Sequence, residues 1–337
     1  MKKILVTGGC GFIGSEFVRQ GLERNYEIIV LDKLTYAGDL RRIPKGEVKF
    51  YKGDIADRDT VRRILRRERP DYLVNFAAET HVDRSIFDPS LFLETNVKGT
   101  HTLLEAIRTY GVEKFLQVST DEVYGEIKKG KFTEESPFLP NSPYAVSKAA
   151  SDMLAKAYYR TYNLPILIVR PSNTYGPYQY PEKLIPLVIY SALKNKKIPV
   201  YGKGENVREW FYVADCAEGI FQVLEKGRIG EAYNIASGEE KKNIDVVKSI
   251  LSLLEKPLSL IQFVRDRPGH DFRYALSTKK VRRELGWRAK TRFAEGLRKT
   301  VDWYLENFSW VEEKIKEERA YFRRFSKFYL SERRLRR

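Results

Sequence analysis

The chain has 337 residues, 42% of them hydrophobic and 31% charged, which is typical of a soluble globular protein with one large or two unequal domains. No apolar run is long enough to span a membrane, and the N-terminus enters a strand without a signal-peptide core, so the sequence favours a cytoplasmic protein. Two distant cysteines, Cys10 and Cys216, and three scattered histidines show no metal-ligand spacing, so we expect reduced thiols and no metal site.

The net charge of +16 raises the question of a nucleic-acid partner. Residues 312–337 carry ten Lys or Arg against five Asp or Glu, and the remaining excess is spread over the rest of the chain. No arginine-rich loop and no recognisable nucleic-acid-binding module accompanies this charge. The pattern favours a solvated surface with many ion pairs, and we expect neither nucleic acid nor a membrane as a partner.

Strand and helix patterns alternate through the first half of the chain. Short apolar runs bounded by polar or turn residues predict buried parallel strands at Lys3–Thr7, Glu27–Asp32, Val48–Gly53, Tyr72–Ala77, Phe115–Ser119 and Ile166–Arg170. Helical patterns cover Gly14–Arg24, Thr60–Arg67, Leu91–Tyr110 and Tyr144–Tyr162. This alternation predicts an α/β fold of the Rossmann type, with a doubly wound parallel sheet formed by residues 1–170.

The composition changes after Arg170, where prolines at 171, 177, 181 and 186 and many aromatic residues come close together. We predict an irregular loop at residues 173–178. Residues 171–305 are predicted to form a smaller mixed α/β substrate-binding region, with segments such as about 210–238 returning to the first domain. From Trp303 onward the chain is predicted to be helical and increasingly basic, with residues 306–337 as a basic tail.

Glycines 8, 11 and 14 lie between the first strand and the first helix. Glycine permits the tight turn there and lets backbone amides approach a pyrophosphate at the helix N-terminus. Asp32 ends the next strand, eighteen residues after Gly14, where a carboxylate binds a ribose 2′-hydroxyl and repels a 2′-phosphate. The pattern therefore predicts NAD, and NADP is the alternative because Lys33 lies next to Asp32.

Three further residues belong to the same predicted cofactor site. Asp54 follows the third strand, where it either receives the adenine amino group or caps the next helix. Ala77 and Ala78 follow the fourth strand and are small enough for a dinucleotide to pass beside them.

Tyr144 and Lys148 form a Tyr-x-x-x-Lys pair on one face of a predicted helix. A cation near a phenol favours the phenolate, so we expect Lys148 to lower the pKa of Tyr144 toward working pH. The phenolate can then take the proton of a sugar hydroxyl while hydride leaves the same carbon. Without the glycine loop, the pair would indicate only an amphipathic helix.

Thr120, Asp121 and Glu122 follow the strand Phe115–Ser119 at the edge of the sheet where ligands bind. Thr120 can hydrogen-bond the reacting oxygen. Oxidation of a hexose at C4 acidifies the C5 hydrogen, which Glu122 can remove as a base. The C6 hydroxyl leaves only when protonated, and Asp121 can supply that proton if its pKa is raised. A solvated turn is the alternative interpretation of two successive acids.

The chain resembles the extended short-chain dehydrogenases, and within them the nucleotide-sugar dehydratases, from residue 1 to about 305. The glycine loop, the Thr120–Glu122 triplet and the Tyr144–Lys148 pair carry this resemblance together with four further stretches, at residues 77–85, 173–178, 181–186 and 266–271. It implies 4,6-dehydration of a nucleotide-linked hexose with NAD returned at the end of each cycle. The catalytic residues would be Thr120, Asp121, Glu122, Tyr144 and Lys148.

The resemblance also implies two binding sets. The NAD set is Gly8, Gly11, Phe12, Ile13, Gly14, Asp32, Lys33, Leu34, Thr35, Asp54, Ile55, Ala77, Ala78, Thr95, Ser119, Tyr144, Lys148 and Thr174. The set for the nucleotide-sugar substrate is His81, Ser85, Asn96, Thr120, Asn173, Lys183, Leu184, Pro199, Tyr201, Arg208, Asn243, Arg267 and His270. The guanidinium groups of Arg208 and Arg267 also suit a diphosphate on physical grounds, with surface ion pairs as the alternative.

The acid pair separates this chain from similar families. Nucleotide-sugar 4-epimerases carry small or hydroxyl residues at these two positions, whereas GDP-mannose dehydratases and UDP-glucuronate decarboxylases usually keep only the glutamate. Both acids together therefore favour dTDP-glucose as the substrate, with an epimerase or another dehydratase or decarboxylase as the alternative. The resemblance further implies a homodimer joined through the helices Leu91–Tyr110 and Tyr144–Tyr162.

Overall fold

The computed structural model describes residues 1–329, so the end of the predicted basic tail, residues 330–337, lies outside the described residues. The strands are β1 Lys3–Thr7, β2 Glu27–Asp32, β3 Lys49–Lys52, β4 Tyr72–Asn75, β5 Lys114–Val118, β6 Ile166–Pro171, β7 Asn173–Tyr175, β8 Ile198–Tyr201, β9 Val207–Tyr212, β10 Ala232–Ile235, β11 Glu240–Lys242 and β12 Ile261–Val264. The helices are α1 Phe12–Glu23, α2 Arg58–Glu68, α3 Val82–Phe87, α4 Ser90–Phe92, α5 Thr100–Tyr110, α6 Pro143–Tyr162, α7 Leu184–Leu193, α8 Val213–Lys226, α9 Asn243–Leu253, α10 Lys279–Leu285, α11 Phe293–Glu306, α12 Phe308–Glu317 and α13 Arg319–Tyr329.

Seven parallel strands form the main sheet, in the order β10-β6-β5-β4-β1-β2-β3. The strand order reverses at β1, which pairs with β2 on one side and with β4 on the other. This reversal opens a crevice beyond the carboxyl ends of the strands, where open α/β sheets bind ligands. The predicted doubly wound sheet is confirmed. The chain returns to this sheet at β10, which pairs with β6.

Alternate residues of the sheet strands face two different helical layers. On β1, Ile4 and Val6 pack in the cluster that contains α1 and α8, whereas Leu5 packs in the cluster that contains α2, α5 and α6. The rings of Phe17 and Phe221 stack at 3.8 Å where α1 meets α8. Burial on both faces explains why these strands are continuous apolar runs.

The second region has its own small sheets and its own core. One sheet has the order β11-β9-β7, and another pairs β8 with β12. A separate apolar cluster joins α7, α9, α11 and α12 around β8. This region contributes Asn173, Lys183 and their neighbours to the edge of the main sheet.

Three predictions of local structure are wrong in part. The helix predicted at Leu91–Tyr110 is interrupted by a π-helical stretch, Leu93–Gly99. Thr100 and Ser151 both donate hydrogen bonds to the carbonyl oxygen of Asn96 inside this stretch, at 2.7 and 2.6 Å. Residues 173–178, predicted as loop, begin with the short strand β7. The chain after Trp303 is helical as predicted, but it is divided into α11, α12 and α13.

Candidate active site

The glycine loop turns tightly between β1 and α1. Gly8 has φ +70°, and a Cβ added there would lie 2.6 Å from the backbone nitrogen of Ala77. A Cβ at Gly14 would lie 2.3 Å from the carbonyl oxygen of Gly8. Glycine is required at both positions because the backbone approaches itself closely. The first turn of helix α1 lines the pocket in front of the loop, so its backbone amides are available to a ligand there.

Asp32 ends β2 beside this loop, and its side chain is buried. Its two carboxylate oxygens accept hydrogen bonds from the backbone amides of Cys10, at 2.9 Å, and of Leu34, at 2.8 Å. Burial raises the pKa of Asp32 against the effect of these two bonds. The amides hold the carboxylate in a fixed orientation at the pocket wall, as an acceptor for a ribose hydroxyl requires.

The side chain of Lys33, the residue after Asp32, is paired with a carboxylate. Its amine lies 2.6 Å from the carboxylate of Asp54, and the pairing raises the pKa of Lys33. Asp54 also accepts a hydrogen bond from the backbone amide of Ala56. The alternative that Asp54 caps the following helix is wrong, because Asp57 is the N-cap of α2.

A pocket along the carboxyl edge of the sheet brings most of the predicted residues together. All five predicted catalytic residues line it. Every predicted NAD residue except Leu34 also lines it, and Leu34 instead shapes the loop with a left-handed φ of 56°. Of the predicted substrate residues, the pocket includes Thr120, Asn173 and Lys183.

Buried polar atoms in the pocket wall lack partners among residues 1–329. They are the side-chain oxygens of Ser119, Asp121, Ser172, Asn173, Gln179 and Tyr180. Buried polar groups in folded proteins are almost always hydrogen-bonded, so these atoms indicate a polar ligand. The glycine loop, the carboxylate of Asp32 and this polar wall together fit NAD and the sugar of a substrate.

Tyr144 lies in the first turn of α6, which Ser142 caps by accepting a hydrogen bond from the amide of Ala145 at 3.1 Å. Lys148 lies one turn further on, and its amine donates to the carbonyl oxygen of Val118 at 2.7 Å. This bond attaches the helix to the end of β5. It places the base and the Thr120–Glu122 triplet in one pocket.

The expected lowering of the Tyr144 pKa by Lys148 is wrong for the protein without its ligands. Burial raises the pKa of Tyr144, and the charge of Glu122 raises it further, while a hydrogen bond with Thr120 opposes both effects. Burial also lowers the pKa of Lys148 to about 8, so this amine is a weaker cation than an exposed lysine. Burial and the charge of Glu122 therefore favour the protonated phenol.

The two acids follow β5 in a single 3-10 turn, Asp121–Tyr124. Thr120 caps this turn by accepting a hydrogen bond from the amide of Glu122, at 3.3 Å, and donates one to Asp121 at 3.2 Å. Burial, followed by the charge of Glu122, raises the pKa of Asp121 well above its usual range. Burial also raises the pKa of Glu122. The solvated-turn alternative does not hold, because Asp121 is only 2% exposed.

Three cations act on the carboxylate of Glu122. Arg208, Arg267 and Lys183 all lower its pKa, in opposition to burial. Arg208 is itself buried, and it donates to the carbonyl oxygens of Val207, Phe272 and Asp271 at 2.8–3.2 Å. The positive charge at this end of the pocket suits a phosphate-linked substrate.

Three predicted substrate residues serve as internal supports in this structure. Ser85 donates to the carbonyl oxygen of Val82 at 2.7 Å inside α3. Asn96 joins the loop at Glu79 to Ser147 of α6, at 2.8–3.0 Å. His81 is buried beside Tyr321, and burial lowers its pKa to about 4.

The other predicted substrate residues lie outside the walls of the pocket, in the second region. Leu184 begins α7, Pro199 lies within β8 and Tyr201 ends it, and Asn243 begins α9. His270 contacts Asp266 at 2.7 Å, and Arg267 pairs with Asp83. The structure therefore brings together the cofactor and catalytic sets, whereas these substrate residues do not line the pocket.

Sequence reasoning missed several pocket residues. Arg42 is buried at 2% exposure and donates to the carbonyl oxygens of Cys10 and Tyr178, at 3.0 and 2.9 Å. Glu182 is buried and pairs with Arg84 at 2.8 Å. The sequence offered two signals for these residues. One is a cation in the loop that follows Asp32, and the other is an acid between Pro181 and Lys183. Arg42 belongs to no recognisable motif, whereas Glu182 lies in the 181–186 stretch that carries the family resemblance but was given no role there.

Across residues 1–329, no three His, Cys, Asp or Glu side chains are grouped closely enough to hold a metal ion. None of the helices in this same range is both long and apolar enough to cross a membrane.

Fold and pocket together define an NAD-dependent enzyme of the short-chain dehydrogenase class. The family model for GDP-mannose 4,6 dehydratase matches residues 5–300. The dTDP-glucose 4,6-dehydratase of Xanthomonas campestris pv. campestris (strain B100) is 50% identical over 331 residues, covering 91% of this chain and 94% of its own. The corresponding enzyme of Neisseria meningitidis serogroup B is 48% identical, covering 92% and 95%.

Among solved structures, the dTDP-glucose 4,6-dehydratase DesIV of Streptomyces venezuelae, with NAD and TYD bound, is 49% identical with a TM-score of 0.90. The match covers 93% of this chain and 99% of that one. The chain belongs to the nucleotide-sugar dehydratase family that the GDP-mannose 4,6 dehydratase model describes.

Proposed function

We propose that this chain is a dTDP-glucose 4,6-dehydratase, which converts dTDP-glucose into dTDP-4-keto-6-deoxyglucose and water. The observation that carries the proposal is the presence of Asp121 and Glu122 in the same buried pocket as Tyr144. Two relatives, 50% and 48% identical to this chain over 91% and 92% of its length, are named for this activity. When bound, NAD accepts the hydride of C4 and returns it to C6, so no external oxidant is consumed.

Tyr144 is the base of the first step. As the phenolate, which the positive charge of a bound nicotinamide ring would favour, its oxygen takes the proton of the C4 hydroxyl as the carbonyl forms. Lys148, attached to Val118, fixes the helix turn that carries this phenol. Thr120 lies at hydrogen-bonding distance of Tyr144 and orients the same hydroxyl.

The two acids perform the elimination. The C4 ketone acidifies C5, and Glu122 removes the C5 proton. Burial raises the pKa of Glu122, and the charges of Arg208, Arg267 and Lys183 oppose that effect and favour the ionised form. Asp121 keeps its proton, since its pKa is raised more strongly, and donates it to the C6 hydroxyl, which leaves as water. Glu122 returns its proton to C5 when C6 is reduced. Neutral and ionised carboxyl groups side by side are what this sequence of steps requires.

The purified protein should form an alkali-absorbing keto sugar from dTDP-glucose without added cofactor. UDP-glucose and GDP-mannose tested in parallel decide the nucleotide preference. The alternative, a 4-epimerase, predicts dTDP-galactose or UDP-galactose instead, and little effect of replacing both acids by their amides. Galactose products without a keto sugar would overturn the dehydratase assignment.

We propose a homodimer joined through α6 and through the segment Leu91–Tyr110, which contains the end of α4, the π-helical stretch and α5. Large apolar side chains are exposed there, at 53% for Leu91, 54% for Leu93, 47% for Val146 and 62% for Met153. An apolar patch of this kind on a folded chain is typical of a protein interface. Sedimentation at micromolar concentration tests this, and a monomer would contradict it.

The buried free thiols of Cys10 and Cys216 fit the reducing cytoplasm, the compartment we propose.

A further inference from the structure

The C-terminal helix α13 packs against α3, the helix that follows β4 at the carboxyl edge of the main sheet. The ring of Phe328 lies 5.3 Å from that of Phe87, and Arg324 lies 4.6 Å from the same Phe87 ring. The residues that the family model matches end at 300, so α13 lies outside the matched range. The tail therefore reaches back to the side of the molecule that holds the reaction site.

Arg84 of α3 connects the tail with the pocket wall. Its guanidinium group pairs with Glu182, which lines the pocket, and with Glu318, just before α13, both at 2.8 Å. The same group lies 4.0 Å from the centre of the Tyr321 ring. A movement of α13 would thus be transmitted to the pocket wall through one half-buried cation.

Tyr329 reaches a second buried charge, Asp83. The carboxylate of Asp83 is 1% exposed and accepts hydrogen bonds from Tyr329 and from Tyr201, the latter at 3.1 Å. It also holds Arg267 through two bonds, at 2.9 and 2.7 Å. Burial opposes ionisation of Asp83, but the Arg267 charge and these donors keep its pKa well below its usual range.

The side chain of Tyr329 is largely buried, at 3% exposure, and its ring packs 4.8 Å from the ring of Tyr201. The phenol is therefore held by an apolar contact and by a bond to a charged acceptor. A hydrogen bond to a charged group contributes more than one between neutral groups. These two contacts hold the last turn of α13 against Asp83 and Tyr201.

Arg267 is one of the three cations that act on Glu122 at the sugar end of the pocket. Its Nε and Nη2 are engaged by Asp83, which fixes the plane of the guanidinium group. A fixed guanidinium fork binds phosphate oxygens better than a mobile one, because less conformational freedom is lost on binding. The diphosphate of a nucleotide sugar must extend from the sugar at Glu122, and these cations mark its direction.

We propose that α13 completes the nucleotide-diphosphate part of the substrate site, with Tyr329 as a positioning residue that holds Asp83, and through it Arg267, in the binding orientation. The proposal rests on the proposed function. It assigns a role in substrate affinity to the basic tail. Tyr329 acts through Asp83, so it contributes to binding and not to proton transfer.

Tyr329→Phe tests this, because it removes the hydroxyl and keeps the ring against Tyr201. We expect the Kd for dTDP, measured by calorimetry, and the KM for dTDP-glucose both to rise about tenfold, a change of about 1.4 kcal/mol. The kcat should stay within about twofold, and the NAD content should not change, since the contacts of α13 described above are with α3, Asp83 and Tyr201. A chain that ends after Glu318 should show the same defect more strongly.

Tyr26→Phe is the matched control. It removes a phenol hydroxyl that contacts the carboxylate of Glu225 at 3.1 Å, away from the pocket. It should leave the Kd for dTDP unchanged even if the melting temperature falls equally in both variants. If Tyr329→Phe lowers the melting temperature but leaves dTDP affinity and KM as in the unaltered protein, the tail is only structural and the inference is overturned.

The two proposals fail separately. If the unaltered protein binds dTDP but does not convert dTDP-glucose, the proposed function fails, and the dTDP affinities still decide the role of Tyr329. If conversion occurs and Tyr329→Phe binds dTDP normally, only the role of the tail is refuted.

Discussion

At the scale of single residues, the different tasks that we propose for the two acids after β5 follow from their different surroundings. Asp121 is more deeply buried, and the charge of Glu122 adds to the effect of burial on its pKa. Glu122 is partly exposed and faces three cations. Adjacent carboxyl groups of the same chemical type can thus serve as the acid and the base that we propose, through their positions alone.

Asp121→Asn should lower kcat by about 10²–10⁴-fold, the usual range for loss of a general acid. The variant still contains Tyr144, so oxidation at C4 should proceed and reduced nicotinamide should accumulate. Single-turnover fluorescence of the reduced cofactor after mixing with dTDP-glucose measures this. The exposed Glu135→Gln serves as the control and should behave as the unaltered protein. Normal turnover by Asp121→Asn would contradict the assigned role.

The same variant should be more stable than the unaltered protein at alkaline pH. The pKa of Asp121 is raised in the folded state, so the folded protein binds more protons than the unfolded one. The contribution of Asp121 to folding stability is present below its pKa in the unfolded chain. It is lost as the pH rises toward its pKa in the folded protein. Urea unfolding at pH 5 and pH 8 should therefore show the advantage of Asp121→Asn increasing with pH. An advantage that shrinks with pH would refute the burial argument.

At the scale of elements, the β1–α1 loop is the part whose backbone must approach the cofactor most closely. Gly14→Ala places a Cβ 2.3 Å from the carbonyl oxygen of Gly8. Such overpacking costs about 1–3 kcal/mol, so NAD affinity should fall about ten- to hundredfold. The NAD retained by the purified variant measures the effect. Gly46→Ala is the control, because it strains a left-handed turn with nothing within 4 Å and should retain NAD.

The ion pair of Arg170 and Asp152 connects β6 with the catalytic helix α6. Both side chains are 0% exposed, and the two groups are 2.8 Å apart. Arg170→Met should lower the free energy of unfolding by about 3–5 kcal/mol, because it leaves a buried carboxylate without its partner. Denaturant unfolding tests this. Lys98→Met breaks a pair with side-chain exposures of 58% and 50% and should change little, since exposed pairs contribute little to stability.

At the scale of the whole molecule, the apolar surface of α5 and α6 predicts how two copies associate. Met153→Glu places a charge in the middle of the proposed interface, so we expect a monomer in sedimentation experiments. Leu258→Glu changes an apolar side chain of similar exposure, 56% against 62%, outside these helices. This control should sediment as the unaltered protein does. A dimeric Met153→Glu protein would exclude this interface.

The positive charge is also distributed over the whole molecule. Cations of the chain pair with acids of distant segments, as Arg41 does with Glu313 and Lys194 with Glu312, at 2.8 and 2.5 Å. The described part of the basic tail is engaged with α3 and the substrate region rather than extended into solvent. These contacts fit the solvated, paired surface that the sequence predicted.

Much of the site was predictable because it is built from short segments at the ends of strands. The glycine loop, Asp32 and the Thr120–Glu122 triplet each directly follow or end a buried strand. Parallel strands align their carboxyl ends, so such segments meet whatever the details of the intervening loops. Tyr144 and Lys148 needed only the period of a helix.

The residues that were missed act across long separations. Arg42 reaches Tyr178, and Asp83 joins Arg267 to Tyr329, so these contacts exist only after the second region has folded onto the sheet. The π-helical stretch at Leu93–Gly99 was also missed, because its sequence is compatible with an ordinary helix. Its geometry is stabilised by bonds from neighbouring elements such as Ser151.

By itself, the sequence determined the sheet, the cofactor loop and the set of reacting groups, since these depend on local periodicity and on residues adjacent to strand ends. Tertiary structure alone decided the charge states of those groups. Tyr144 and Lys148 were expected to form an activated pair, yet burial raises the pKa of the phenol and lowers that of the amine. Desolvation depends on everything that surrounds a group, and the surroundings come from distant parts of the chain. For the same reason, only the folded molecule shows that the tail reaches the substrate side of the enzyme.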